Sequence, residues 1–180
     1  MNMKSKMIRV LLDIDIEEER WQKAIPDIAD VAEKVKTTTF EYIRQYADIS
    51  VLNADKPLSV NLCLSNDEHV HQLNRDYRNK DKPTNVLTFA NLDFADFDAE
   101  NEVFDEIDLG NIIIAYETMQ KEADIENITL YAHFCHLLVH GLLHILGFDH
   151  IEEDEAEYME SFEKNILQIL NIANPYQDEA

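Results

Sequence analysis

The sequence predicts one domain of mixed strand and helix, organised around a histidine-bearing helix. Three observations point there. Short apolar or alternating runs recur at 58–65, 85–90 and 109–115 and read as strands. Longer segments between and after them carry apolar residues every three or four positions, as helices do. Residues 133–150, HFCHLLVHGLLHILGFDH, hold five of the chain's seven histidines, four of them at helical spacing.

At 180 residues, 46% hydrophobic and 29% charged, the chain suits one soluble globular domain spanning 1–180. Its formal net charge of −22 argues against non-specific binding to nucleic acid or anionic membrane by the body of the protein. Cys63 and Cys135 sit in apolar runs without a CxxC pair, and read as buried free thiols in a reducing compartment. Asp13 and Asp15 interrupt the apolar start before it reaches signal-peptide length. The apolar stretch 137–148 is too short to span a bilayer. No membrane partner and a cytoplasmic location are the expectation.

Taken in order, residues 7–16 read as a first strand, alternating apolar and acidic from Leu12. Residues 17–47 are helical, with Trp21, Ile25, Ile28, Val31 and Val35 as a core-facing stripe. Pro26 must lie at a helix start or a break. Thr37, Thr38 and Thr39 are poor helix formers and are expected to divide the region. A turn at 53–57 leads into the strand LSVNLCLS, 58–65. Ser65 and Glu68 have capping-box spacing for a helix with Val70, Leu73 and Tyr77 on one face. His69 and His71 read as solvated. Residues 75–82 hold Arg75, Arg78, Lys80 and Lys82, a basic cluster in an acidic chain, and on charge alone read as a solvated turn with ion pairs to Asp76 and Asp81. A strand follows from Asn85 to Ala90. Residues 91–108 carry eight acids and no base, and read as a loop or flap without the spacing of a calcium loop. The apolar run 109–115 suits the sheet centre. A helix over 116–123 precedes the histidine helix, which Thr129 can cap. The last helix, after His150, starts with acids that match the helix dipole and buries Tyr158, Phe162, Ile166 and Leu170, with Met159 and Ile169. It is expected to pack under the histidine helix.

His140 and His144 are four residues apart, so they share one helix face. Gly147 suits a helix stop because glycine takes the left-handed conformation at low cost. The chain can then turn back and bring His150 to the same point. Three neutral imidazoles make a transition-metal site, with one zinc ion per chain as the default, and leave a tetrahedral ion one open position. His133 and His136 continue the stripe upstream as buried, cleft-facing residues or outer donors to the ligands. The position after His140 is Gly141, where a metalloprotease helix carries its glutamate base. A peptidase is therefore disfavoured, and Gly141 suggests room for a substrate or another backbone beside the metal.

Two of these segments together resemble the YbeY-type family of bacterial single-strand-specific endoribonucleases, which act in ribosomal RNA maturation. HGLLHILGFDH at 140–150 is similar to that family's histidine motif, including Gly141, Gly147 and Asp149. YRNKDKPTNVLTF at 77–89 resembles its second signature. The resemblance covers roughly 58–170. It implies an α+β fold, a small mixed β-sheet packed against several helices with a zincin-like metal helix. It implies His140, His144 and His150 as zinc ligands, and Arg78 as a functional arginine in a cleft opposite the metal. The sequence departs at Asn111, where the family more often has aspartate.

The chemistry expected from this resemblance is phosphodiester cleavage in single-stranded RNA, with His140 and Arg78 as catalytic residues. Lys80 and Lys82 would guide the strand, and Asp149 would orient a ligand imidazole, with His136 nearby. Either a water or a ribose 2′-hydroxyl can be the nucleophile. Ribosomal RNA and a ribosomal subunit or protein are the expected partners, not DNA. The net charge predicts weak, salt-sensitive RNA affinity in isolation. Two other readings stay open: a ribosome-assembly factor with a structural zinc, and a zinc hydrolase of another substrate class.

Overall fold

The computed structural model describes residues 9–176. Residues 7 and 8, read as the start of the first strand, lie outside the described residues. Four strands, β1 (Val10–Ile16), β2 (Leu58–Ser65), β3 (Val86–Ala90) and β4 (Ile107–Ala115), form a mixed sheet in the order β1-β2-β4-β3. β1, β2 and β4 are mutually parallel, and β3 runs antiparallel to β4 along one edge. On β1, Leu12, Ile14 and Ile16 face the core while Asp13 and Asp15 are exposed, the alternation of an edge strand covered on one side. β2 and β4 lie inside the sheet, and β4 is as apolar as a central position requires.

A bulge re-aims the last part of β4. Pairing with β2 slips between Ser59 and Asn61, beside Gly110. Gly110 has φ +128°, and a Cβ there would run into the Phe89 carbonyl, so glycine is required. After the slip, Ile112 and Ile114 join the large core, while Ile113 and Ala115 join a smaller cluster with Val70 and Leu87.

Among the described residues, seven α-helices surround the sheet. α1 (Arg20–Ala24) and α2 (Ile28–Tyr46) are separated at Pro26. α2 runs unbroken through Thr37–Thr39, contrary to the expected division. Thr39 is fully buried and its hydroxyl donates to the Val35 carbonyl at 2.7 Å, so tertiary packing overrides weak propensity. Trp21 is a packing residue whose Nε1–H donates to the Ser65 carbonyl at 2.9 Å. α3 (Asp67–Arg78) is capped by Asn66, not Ser65: the Asn66 side chain accepts from the His69 N–H at 3.0 Å, while Ser65 ends β2. The Ser65 hydroxyl donates instead to Glu17.

The acidic stretch is more ordered than a loop. A 3-10 turn spans Asn91–Asp93, α4 spans Phe97–Val103, and β4 begins at Ile107. α5 (Tyr116–Glu126) stops at Asn127 in the left-handed conformation. α6 (Leu130–Ile145) starts where the Thr129 hydroxyl accepts from the Ala132 N–H, and α7 (Glu153–Ile169) starts with a Glu152–Glu155 capping box. The buried stripe of α7 is Met159, Phe162, Glu163, Ile166 and Leu167, whereas Tyr158 and Ile169 are half exposed.

α2, α6 and α7 cover one face of the sheet, and α3 covers part of the other. α6 lies centrally, against β3, β4, α2, α5 and α7. Burying side chains such as Phe134, Leu138 and Leu142 stabilises it by roughly 1.5–3 kcal/mol each. Whatever α6 carries is therefore held on a rigid element. No single helix among the described residues is long and apolar enough to cross a membrane.

Candidate metal centre

The site is built on the last two turns of α6. Gly141 makes close packing against β4 possible. A Cβ at Gly141 would lie 3.0 Å from Ile112 Cγ2 and 3.2 Å from Ile112 Cδ1. The space beside α6 is thus taken by β4, which is the neighbouring-backbone alternative for Gly141 and not the substrate one. α6 ends at Ile145 with Leu146 as its cap, and Gly147, at φ +96°, turns the chain back. The Phe148 N–H then donates to the Leu143 carbonyl at 3.1 Å, which fixes the return.

That return brings His150 over the helix. One ligand atom from each of His140, His144 and His150 lies within 4.8 Å of the others. The ring centroids are 4.5 Å apart for His140–His144, 4.9 Å for His144–His150 and 5.6 Å for His140–His150. His140 Nδ1–H donates to Glu163 Oε1 at 2.5 Å, and His144 Nδ1–H donates to the Phe148 carbonyl at 2.9 Å. Both Nε2 atoms then present lone pairs, 3.0 Å from each other. A cation held between them would remove that repulsion, and hydrogen bonds at Nδ1 that fix the tautomer are what metal-ligating imidazoles need. Burial, then the neighbouring His140 and His150, pushes the His144 pKa down to about 4, which keeps it neutral and available as a ligand. The donor set therefore fits a borderline-soft transition ion. The His150 side chain is 58% exposed and that of His140 24%, so the group opens to solvent on one side.

The carboxylate that organises the site is Glu163 of α7, which sequence reasoning missed. It is 1% exposed. Its oxygens meet His140, His136 Nε2 at 3.1 Å and the Tyr176 hydroxyl. Burial opposes its ionisation, but the hydrogen bonds from His136 and His140 outweigh that and hold the carboxyl down to about 2. The available signal was an acid at position 163 on an otherwise apolar stripe. His136 thus reaches His140 through Glu163, and Tyr176 near the C-terminus packs against the His136 ring at 5.7 Å. His133 belongs to a separate pair: its Nε2–H donates to Glu122 at 2.6 Å, and Glu122 also accepts from Asn85.

Asp149 holds the turn more directly than the ring. Its Oδ1 accepts from the His150 backbone N–H at 2.7 Å and lies 3.8 Å from His150 Nδ1, too long for a hydrogen bond. Arg78 ends α3. It is exposed, donates from Nη2 to the Thr88 carbonyl at 2.6 Å, and lies over the Phe89 ring at 5.4 Å. It is thereby pinned to β3, the edge strand against which α6 packs. Lys80 and Lys82 are exposed in the turn that follows, whose backbone is tied to Asn74. No hydrogen bond, ion pair or ring contact among the described residues joins Arg78, Lys80 or Lys82 to the three histidines. His69 and His71, expected to be solvated, each meet a carboxylate: Glu17 at 2.8 Å and Asp81 at 2.6 Å.

Comparison with known proteins gives the same direction. A family model described as endoribonuclease YbeY matches residues 13–171. Endoribonuclease YbeY of Zymomonas mobilis is 37% identical, covering 96% of this chain and 94% of its own. That of Paramagnetospirillum magneticum is also 37% identical, covering 96% and 99%. That of Erythrobacter litoralis is 47% identical over 73% of this chain and 82% of its own. Among solved structures, the solution structure of TM1509 from Thermotoga maritima matches with a TM-score of 0.52 at 22% identity, covering 96% of this chain and 97% of that one. The last likeness concerns the fold alone.

Proposed function

The chain belongs to the endoribonuclease YbeY family, and from that premise we propose a zinc-dependent endoribonuclease with its ion on His140, His144 and His150 and the substrate phosphate on Arg78. Its activity is RNA cleavage, and its role is in ribosomal RNA processing. Single-stranded RNA is the proposed substrate form, and a ribosomal subunit or protein the proposed partner, with the work done in the cytoplasm where ribosomes are.

The observation that carries the metal reading is the convergence of three imidazoles whose outer nitrogens are already engaged. A bound zinc supplies Lewis-acid stabilisation of charge on a phosphodiester oxygen. The chain's own residues do the rest. Glu163 holds the His140 ring and its tautomer, and the Phe148 carbonyl does the same for His144. Arg78, braced by the Thr88 carbonyl and the Phe89 ring, keeps further N–H donors for a phosphate and stabilises its developing charge. Lys80 and Lys82 add local positive charge along the approach of the strand.

The exposure of His150 and His140 favours a catalytic ion over a structural one, because a structural site is closed by four protein ligands. A peptidase lacks its base, since Gly141 is packed against Ile112. The discriminating experiment measures bound metal, then challenges native protein, His144→Ala and Arg78→Ala with single-stranded RNA and with casein. RNA cleavage lost in both variants, with no proteolysis, supports the nuclease. Full metal occupancy without turnover of either substrate contradicts it.

A further inference from the structure

On the opposite face of the sheet from α6, beneath α3, lies a second mixed-donor cluster. Glu17 follows β1, Cys63 is on β2, and His69 is in the first turn of α3. A carboxylate oxygen, Sγ and an imidazole nitrogen from these three lie within 4.8 Å of one another. They border a cavity of about 610 Å³, whose walls include Asp13, Asp15 and Asn61.

The three side chains are held by independent backbone anchors. The Glu17 N–H donates to the Leu64 carbonyl at 3.0 Å, and its carboxylate accepts from the Ser65 hydroxyl at 2.9 Å. Cys63 is paired into the sheet between Asp15 and Ile113. The His69 N–H is fixed by the Asn66 cap, and His69 Nδ1 lies 2.8 Å from Glu17 Oε2 and 3.0 Å from Ser65 Oγ. Period-two alternation puts Cys63 and Ser65 on this face together, while Leu62 and Leu64 face the large core.

We propose that Glu17, Cys63 and His69 form a second transition-metal site, separate from the three histidines, which takes a divalent ion of zinc's softness and leaves one position open to the cavity. The donor set is the argument. One thiolate, one imidazole and one carboxylate select a borderline ion over magnesium or calcium, which want oxygen alone. The two aspartates of the cavity wall add negative potential that draws a cation in. A reactive cysteine is the competing reading. Burial, with Glu17 and Asp15 beside it, holds the Cys63 thiol up to about 12, so it is no nucleophile at neutral pH without a cation to stabilise the thiolate.

Cobalt(II) titration of the reduced, full-length protein tests the site, because a thiolate ligand gives a near-ultraviolet charge-transfer band that an all-imidazole site cannot. The native protein is expected to take two equivalents and to show the band. Cys63→Ala and His69→Ala are expected to lose the band and one equivalent, while keeping the far-UV circular dichroism, the other ion and RNA cleavage. His144→Ala is expected to keep the band, which separates this site from the histidine site. A native protein with no band, or a band that survives Cys63→Ala, overturns the proposal. The native measurement needs no variant to fold.

Discussion

Glu163 Oε1 lies 2.5 Å from His140 Nδ1, and the contact joins a buried acid of α7 to the open end of α6. The acid sits within an apolar stripe, where a leucine would stabilise the interface at no desolvation cost. Its presence makes sense as a support for the imidazole. Glu163→Gln keeps the shape and one acceptor but removes the charge. It is expected to lower metal affinity about 10–100-fold, as loss of such outer carboxylates does. Competition with a chelator of known affinity reads the change. Unchanged affinity would leave Glu163 as packing alone.

Arg78 is exposed and, among the described residues, shares no hydrogen bond, ion pair or ring contact with the three histidines, so its removal tests the proposed substrate contact apart from the proposed metal site. Arg78→Ala is expected to keep the metal and the melting temperature and to lower kcat by about 10²–10³, the usual effect of deleting one donor to a developing anion. Loss of the proposed phosphate contact is expected also to lower the slope of log affinity against log salt by about 1. Filter binding of a short single-stranded RNA at several salt concentrations gives the slope, and single-turnover cleavage gives the rate.

Acid is expected to destabilise the chelated protein in two overlapping steps. His144 is held down to about 4 when folded, against 6.5 as its ordinary value. The unfolded chain therefore binds more protons between those values, and stability falls as pH drops from about 6.5 to about 4. Glu163 is held down to about 2 from 4.5, so its contribution is present above 4.5 and is lost as pH falls toward 2. Urea unfolding midpoints at pH 7.5, 5.5 and 3.5 should decline in that order. A midpoint flat from 7.5 to 5.5 would remove the His144 part.

Gly141→Ala sets two effects against each other. Helix propensity gains about 1 kcal/mol. The new Cβ, 3.0 Å from Ile112 Cγ2, requires the Ile112 side chain to give by a few tenths of an ångström in a packed interface, and overpacking of this kind costs about 1–3 kcal/mol. The net expectation is a loss of roughly 1 kcal/mol in chemical denaturation. In an Ile112→Ala background the same substitution should stabilise, because the clashing side chain is gone.

Legibility in the sequence followed the range of the forces involved. β2 was readable residue for residue because its alternation is local, and the Thr129 cap and the stop at Gly147 are local chemistry as well. Long-range packing was not. Thr37–Thr39 looked like a break until Thr39 found a buried place on α2. The acidic stretch looked like a loop, although residues 97–103 form α4. At the site, the spacing of His140, His144 and His150 let their convergence be foreseen from one helix and one turn. Glu163, from the next helix, could be suspected only as an acid among apolar neighbours. Gly141 signals room for a substrate or another backbone, and only the fold, which brings the distant β4 alongside, decides for the second: Ile112 fills that room.

The decisive measurement is digestion of a defined single-stranded RNA by zinc-loaded native protein and by His144→Ala, at matched concentration and with matched circular dichroism. The account predicts cleavage by the native protein and at least a hundredfold slower cleavage, about 3 kcal/mol of transition-state stabilisation, in the variant. Equal cleavage rates in the two proteins would contradict it.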